Sequence, residues 1–266
     1  MPREITAFSN PLVKHARDLR DKRHRRESRQ FLAEGLRILT EARETGRLPE
    51  TLFYTAASAG HPLVHDLSFA VEDAGGQAIQ TTPDILSKLS GKDNPQAVVG
   101  IFDEWTAALD SLDRASAAIW LVAERLRDPG NLGTMLRTGD AVAAGALILV
   151  GECVDPFSVE AVRASMGALF TVPVVRTEWA PFVDWLRAGP GQLVGLHLDA
   201  SEDYRAARYA APTFLLTGNE AHGLPADYAA ACDTLVRIPM LGRADSLNAA
   251  VATAVMAYEV LAQQRG

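Results

Sequence analysis

The sequence predicts a two-domain α/β protein whose C-terminal part holds a mostly parallel sheet covered by helices. Three observations lead there. Near-continuous apolar runs such as AAIWLVAE (Ala117–Glu124) and ALILV (Ala146–Val150) suit strands buried on both faces. Helical patterns separate successive runs, and 266 residues exceed what one core usually spans.

Taken in order, Asn10-Pro11 reads as a cap and first-turn proline opening a helix through the basic segment that follows. Gly35–Ala42 is predicted helical, TLFYT (Thr51–Thr55) a strand, Pro62–Ala74 and Pro83–Leu89 helices, and Gln77–Thr81 and Ala97–Phe102 strands. The stretch DEWTAALDSLDRA, Asp103 to Ala115, is polar and without strand pattern, which places the domains at 1–103 and 117–266 with a linker over 104–116. Beyond it the expected order is strand Ala117–Glu124, helix Asn131–Ala144, strand Ala146–Val150, helix Val159–Ala168 and strand Val172–Val175. A helix around Phe182–Leu186 follows, then strands Leu193–Leu198 and Thr213–Thr217, a helix Ala226–Ala231, strand Leu235–Pro239 and a last helix from Leu247 to about Ala262. Ligands of such sheets bind at the carboxyl ends of the strands.

Composition removes several classes. Cys153 and Cys232 stand far apart and without a partner motif, which supports neither a disulfide framework nor a cysteine-based zinc site; no metal is expected. The uncharged apolar run Ala141 to Gly151 is too short to cross a membrane, and MPREITAFSN lacks the shape of a signal peptide, so a soluble cytoplasmic protein is expected. Net charge is −7, yet Lys14–Arg29 carries eight Lys or Arg against three Asp or Glu, +5 in a chain whose remainder holds −12. Screening confines each charge to about 8 to 10 Å, so such a patch can meet phosphates on an acidic protein; a solvated helix face is the plainer reading of it. No G-x-G-x-x-G follows a strand and no G-x-x-x-x-G-K-[ST] occurs, which excludes an ordinary dinucleotide fold or a P-loop enzyme.

Three strand ends in the second domain are unusual. In AERLRDPGNLGTMLRTGDAVAAG, Asp128-Pro129-Gly130 is turn chemistry, Asn131 reads as an N-cap, and Arg137 falls near the edge of the helix's packed face, where a snorkelling or ion-paired arginine is the structural alternative. In FLLTGNEAHGLP, an amide and a carboxylate, Asn219 and Glu220, follow a buried strand, and Gly218 permits close approach of a ligand; alone, the segment reads equally as a loop capping the next helix. In RIPMLGRADSLNAAVATAVMAYEV, a glycine loop follows the strand and Ser246, by itself an N-cap, and Asn248 open an Ala-rich helix suited to close packing.

DPGNLGTMLRT, LLTGNEAHGL and IPMLGRADSLNAAVATAVMAYE, in this order and spacing, resemble the three signature motifs of the SpoU (TrmH) family of RNA 2′-O-ribose methyltransferases, of the SPOUT class, as does VDPFSVEAVRASMGALFTVPVV between them. The resemblance covers the chain from about Ala117 on. It implies a parallel sheet whose C-terminal part is threaded into a deep trefoil knot, a feature nearly absent from other proteins. It implies S-adenosylmethionine as cofactor, held by Thr217, Gly218, Asn219 and Glu220, by Ile238, Pro239, Met240 and Gly242, and by Ser246, Leu247 and Asn248. Arg137 matches the arginine used at the acceptor; Asn131, Glu220 and Asn248 would fix it and the cofactor by hydrogen bonds, while Ser246 positions or relays. Ala221 departs from the usual glycine. FLAEGLRIL (Phe31–Leu39) resembles the small ribosomal-protein-like RNA-binding domain that precedes the catalytic domain in many members, which offers Lys14, Arg17, Arg20, Lys22, Arg23, Arg25, Arg26 and Arg29 as RNA contacts. A ribose methyltransferase acting on structured RNA, ribosomal more than transfer RNA, and working as a homodimer, is the expectation. The rival is a catalytically silent RNA-binding protein of the same fold; the joint presence of Arg137, Asn219, Glu220, Ser246 and Asn248 favours the enzyme.

Overall fold

The structure, a computed structural model, describes residues 3–92 and 96–265; Met1 and Gly266, the ends of the two expected domains, lie outside them. Two compact units form. One runs to Trp105 and takes in Phe157–Phe170; the other is Thr106–Pro156 with the chain from Thr171 on.

The first unit contains β1 (Arg3–Ile5), α1 (Pro11–Asp18), α2 (Lys22–Ser28), β2 (Gln30–Glu34), α3 (Leu36–Glu44), β3 (Thr51–Thr55), α4 (Pro62–Asp73), β4 (Gln77–Thr81), α5 (Pro83–Ser90) and β5 (Val98–Asp103). Its sheet has the order β1-β4-β3-β5-β2, with β1, β4 and β3 parallel and β5 antiparallel to both β3 and β2. Asn10 caps α1 by accepting from Leu12 N, ahead of Pro11, as the sequence predicts. The basic segment is two helices, not one. Asp21 accepts from the N–H groups of Arg23 and His24 and starts α2 afresh, and Arg25 donates to the carbonyls of Leu19 and Arg20 in the break. Strands β1 and β2 went unpredicted, the first for its polar brevity and the second because Phe31 to Ala33 continue an apolar pattern into α3.

The second unit contains β6 (Ile119–Glu124), α6 (Pro129–Ala141) and β7 (Leu147–Val150); α7 (Val159–Ser165) belongs to the first unit; then follow β8 (Val174–Thr177), α8 (Trp179–Arg187), β9 (Gln192–Leu196), the two-residue β10 (Glu202–Asp203), β11 (Thr213–Thr217), α9 (Ala226–Ala231), β12 (Thr234–Arg237) and α10 (Ala249–Arg265). All seven strands of its sheet are parallel, in the order β10-β12-β9-β11-β6-β7-β8. Strands β6, β7 and β8 run outward in sequence order, the chain then crosses to the other side at β9, and β11 enters between β9 and β6. That reversal opens a crevice at the carboxyl ends of β9, β11 and β12. Trp120 and Phe214, stacked with ring centroids 5.5 Å apart, are both essentially fully buried on neighbouring strands, and each such side chain contributes about 1.5 to 3 kcal/mol. The expected linker holds two single 3-10 turns and one bridge, Ala107 to Val175.

In the first unit, α7 is fixed by aromatic packing at its two ends. Phe31 lies 4.9 Å from Phe157, and Phe102 lies 5.1 Å from Phe170; Trp105 meets both Phe157 and Phe170. Arg163 of α7 adds a 2.9 Å ion pair to Glu34 of β2. Among the described residues no helix is long and apolar enough to cross a membrane, and no group of three or more His, Cys, Asp or Glu is placed to hold a metal ion.

Candidate active site

The ends of β9, β11 and β12, the turn before α6 and the start of α10 enclose a cavity of about 690 Å³. Of the residues expected at the cofactor, Thr217, Gly218, Asn219, Glu220, Ile238, Met240, Ser246, Leu247 and Asn248 line it, together with Asn131. Pro239 and Gly242 are exposed on the same loop outside the lining, and so is Arg137 on the outer face of α6. Leu196, His197 and Val236, at the ends of β9 and β12, line it without having been singled out; apolar strand ends carry no local signal of a ligand.

The three motifs are joined by one directional chain of hydrogen bonds. The first N-H groups of the turn before α6, Arg127 N and Asp128 N, donate to Glu220 at 3.2 and 3.1 Å. Asn131 Nδ2 donates to Glu220 Oε1 at 3.0 Å, and Asn248 Nδ2 donates to Asn131 Oδ1 at 2.7 Å. Asn248 Oδ1 in turn accepts from Ala250 N and Val251 N, capping α10. Two capping expectations are thereby corrected. Asp128, not Asn131, caps α6, accepting from Asn131 N at 2.7 Å with Pro129 in the first turn; Asn248, not Ser246, caps α10. The physical reason is where each helix starts: α6 begins at Pro129, so Asp128 directly precedes it and Asn131, inside the first turn, keeps its amide to bridge Glu220 and Asn248, whereas α10 begins at Ala249, directly after Asn248.

Glu220 is a clamp rather than a base. Partial desolvation raises its pKa, but the hydrogen bonds from Asn131, from its own N–H and from Asp128 and Arg127 outweigh that and hold the carboxyl below the usual carboxylate value. Below the adjacent loop, Asn219 N donates to Glu124 Oε2 at 3.2 Å. Glu124, 2% exposed, has its pKa raised by desolvation, against the opposing Asn219 hydrogen bond and nearby arginines. A carboxyl whose folded pKa lies above its unfolded value binds more protons when folded, so its charged form costs stability as pH rises through that interval and costs none below it. Glu124→Gln, whose amide oxygen still accepts from Asn219, is therefore expected to raise Tm by a few degrees at pH 8, with the gain vanishing at pH 4; scanning calorimetry at the two values checks it. Thr217 Oγ1 and Thr253 Oγ1, both buried and 2.7 Å apart, tie the end of β11 to α10.

Gly218 is indispensable to the loop's path. A Cβ there would lie 2.3 Å from Gly223 C, because the loop folds back on itself with Gly223 N donating to Asn219 O at 2.9 Å. Cys153 and Cys232 are free thiols, pushed up by desolvation to about 11 and about 12, and so stay protonated at neutral pH.

In the basic segment, Lys14, Arg17, Arg20, Lys22, Arg23, Arg26 and Arg29 are exposed. Arg17 pairs with Asp18, Arg23 with Glu27 and Arg29 with Glu104. Arg25 differs: it is 3% exposed and its guanidinium serves the break between α1 and α2, which takes it away from any phosphate.

Fold and cavity together define an α/β protein with a cavity of small-ligand size at the carboxyl edge of a parallel sheet. A family model described as the SpoU rRNA Methylase family matches residues 118–258, and one described as an MRM3-like substrate binding domain matches residues 10–100. The chain is 32% identical over 253 residues to the 23S rRNA (uridine(2479)-2'-O)-methyltransferase of Streptomyces viridochromogenes, covering 92% of this chain and 87% of that one. It is 28% identical over 260 residues to the 23S rRNA (guanosine(2553)-2'-O)-methyltransferase of Bacillus subtilis, covering 97% and 99%. A solved structure of an AdoMet-bound rRNA methyltransferase from Sinorhizobium meliloti matches with a TM-score of 0.90 at 42% identity, over 97% of each chain. The chain belongs to the SpoU rRNA methylase family.

Proposed function

We propose that the protein transfers a methyl group from S-adenosylmethionine to a ribose 2′-hydroxyl of structured RNA, ribosomal RNA rather than transfer RNA, in the cytoplasm. The observation that carries this reading is the hydrogen-bonded line Glu220–Asn131–Asn248, which draws all three motifs around one cavity. The two relatives named for 23S rRNA support the choice of RNA.

The cavity fits the cofactor. Its volume lies in the range of small-molecule sites, its walls combine apolar Leu196, Ile238 and Leu247 with backbone groups of Thr217 to Asn219, and it carries no phosphate-binding glycine run. Leu196, Ile238 and Leu247 would hold an adenine ring; Asn219, Ser246 and free backbone groups at the strand ends would take its polar atoms. When bound, the sulfonium supplies an already activated methyl group. The chain's task is alignment and assistance at the acceptor hydroxyl. Glu220 is committed to the turn before α6, so it positions rather than accepts a proton. Arg137, exposed on α6, orients the hydroxyl and adjacent phosphate or stabilises developing negative charge.

The reading includes a homodimer and the trefoil threading that the family resemblance implies. Support for the threading is the entry of β11 between β6 and β9. Support for the dimer is a stripe on α10 at helical spacing, exposed Val251, Tyr258 and Ala262 with half-buried Val255 between them, Val251 being 46% and Tyr258 53% exposed, together with the 97% exposed Leu241. Tyr258→Glu is expected to convert a dimer into a monomer in sedimentation and to lower activity; a wild-type monomer with full activity refutes the dimer. Nucleoside mass spectrometry of RNA from cells with and without the protein tests the function, the expected result being loss of one 2′-O-methylated nucleotide from ribosomal RNA.

A further inference from the structure

Arg125 holds a backbone conformation that its side chain makes unfavourable. Its φ is +42°, in the left-handed region where Cβ crowds the following carbonyl and glycine is the ordinary occupant. Three backbone anchors enforce it. Arg125 N donates to Val150 O at 3.0 Å, Asn219 Nδ2 donates to Arg125 O at 2.8 Å, and the next residue, Leu126, is fully buried. None of these anchors involves the guanidinium. A Cβ on Gly151 would meet Arg125 Cγ at 3.3 Å, so the side-chain stem lies over that glycine, and Nε stands 3.5 Å from Glu124 Oε1 while the side chain remains 59% exposed. A glycine would satisfy the backbone at less strain; what it would lack is the charged fork. Two residues on, Arg127 is also exposed and lines the cavity mouth.

Arg125 Nε pairs with Glu124 Oε1, but the side chain is 59% exposed and its two terminal nitrogens remain for a further partner, while the other neighbouring carboxylates are committed elsewhere. Glu124 is buried and its charged form is disfavoured; Asp128 Oδ1 accepts from Asn131 N; Glu220 accepts from Arg127 N, Asp128 N and Asn131 Nδ2. Asp227 acts on Glu124 through space. We infer that Arg125 and Arg127 form a clamp for a backbone phosphate of the RNA strand beside the ribose in the cavity, an inference that rests on the methyltransferase reading. Planar guanidiniums match phosphate in a bidentate way, and phosphate contacts set the register of a nucleic acid without reading its sequence.

Arg125→Gly tests it without endangering the fold. Expected are a Tm equal to or above wild type, unchanged S-adenosylmethionine affinity by calorimetry, and a KM about tenfold higher for large-subunit ribosomal RNA extracted from cells lacking the protein. The dependence of log affinity on log salt should fall by roughly 0.7 to 1, one phosphate contact. Arg125→Lys should restore most of the salt slope and part of KM. Unchanged KM and slope in Arg125→Gly overturn the clamp, whatever happens to Tm; a raised KM that Arg125→Lys leaves uncorrected in slope also overturns it. A wild-type protein that neither binds cofactor nor methylates RNA brings down the methyltransferase reading instead, so the two failures are distinct.

Discussion

Replacing Arg137 by alanine is expected to lower methyl transfer by on the order of 10²- to 10³-fold while S-adenosylmethionine affinity stays at the wild-type value. The split follows from position. Arg137 lies on the exposed side of α6, outside the cavity lining, whereas Leu132, Met135 and Leu136 pack the helix against the sheet. Its removal therefore leaves core and cofactor walls intact and takes away the guanidinium proposed to act at the acceptor. Single-turnover transfer alongside calorimetry measures both quantities. Equal loss of binding and transfer would move Arg137 from acceptor to cofactor.

Gly218→Ala is expected to do the reverse, abolishing cofactor binding along with activity. The added methyl group would meet Gly223 C at 2.3 Å and Leu224 N at 2.5 Å, backbone atoms that no rotamer change can move aside. The loop must shift, and with it Asn219 and Glu220, which hold Arg125 O and the turn before α6. A displacement of about 1 Å at such a site costs on the order of 10²-fold in rate, and here the cofactor walls move too. Leu224 is buried beyond the loop and anchors its far end, so global stability should fall far less than affinity. Calorimetric titration with S-adenosylhomocysteine, set beside a thermal melt, checks it; wild-type affinity would mean that the loop can reopen without touching the site.

Much of this was legible in the residues. The strands of the second unit are apolar on both faces, so Ala117–Glu124 and Thr213–Thr217 announce themselves by composition, and the polar residues placed just after them mark a crevice. What could not be read is how polar groups pair across 89 to 117 residues. Asn131 is followed by a helical pattern, which makes it look like a cap; only the folded chain shows Asp128 taking that role and Asn131 lying between Glu220 and Asn248. Arg25 is one of eight cations in a run, and its burial depends on a turn at Leu19–Asp21 that charge patterning does not reveal. The left-handed backbone at Arg125 is equally silent, since nothing in an arginine advertises positive φ. His197 is missed because a strand ending in an apolar run looks the same whether it meets solvent or a ligand.

The aromatic packing around α7 bears on the order in which the protein can be made. Phe157 and Phe170 complete a ring cluster with Phe31, Phe102 and Trp105, yet more than fifty residues of chain separate Trp105 from Phe157. During synthesis the amino-terminal unit must wait, its ring cluster unfinished, until residue 170 has emerged from the ribosome. By then β6 and β7 are already outside, so neither half can be cut away and expected to mature alone.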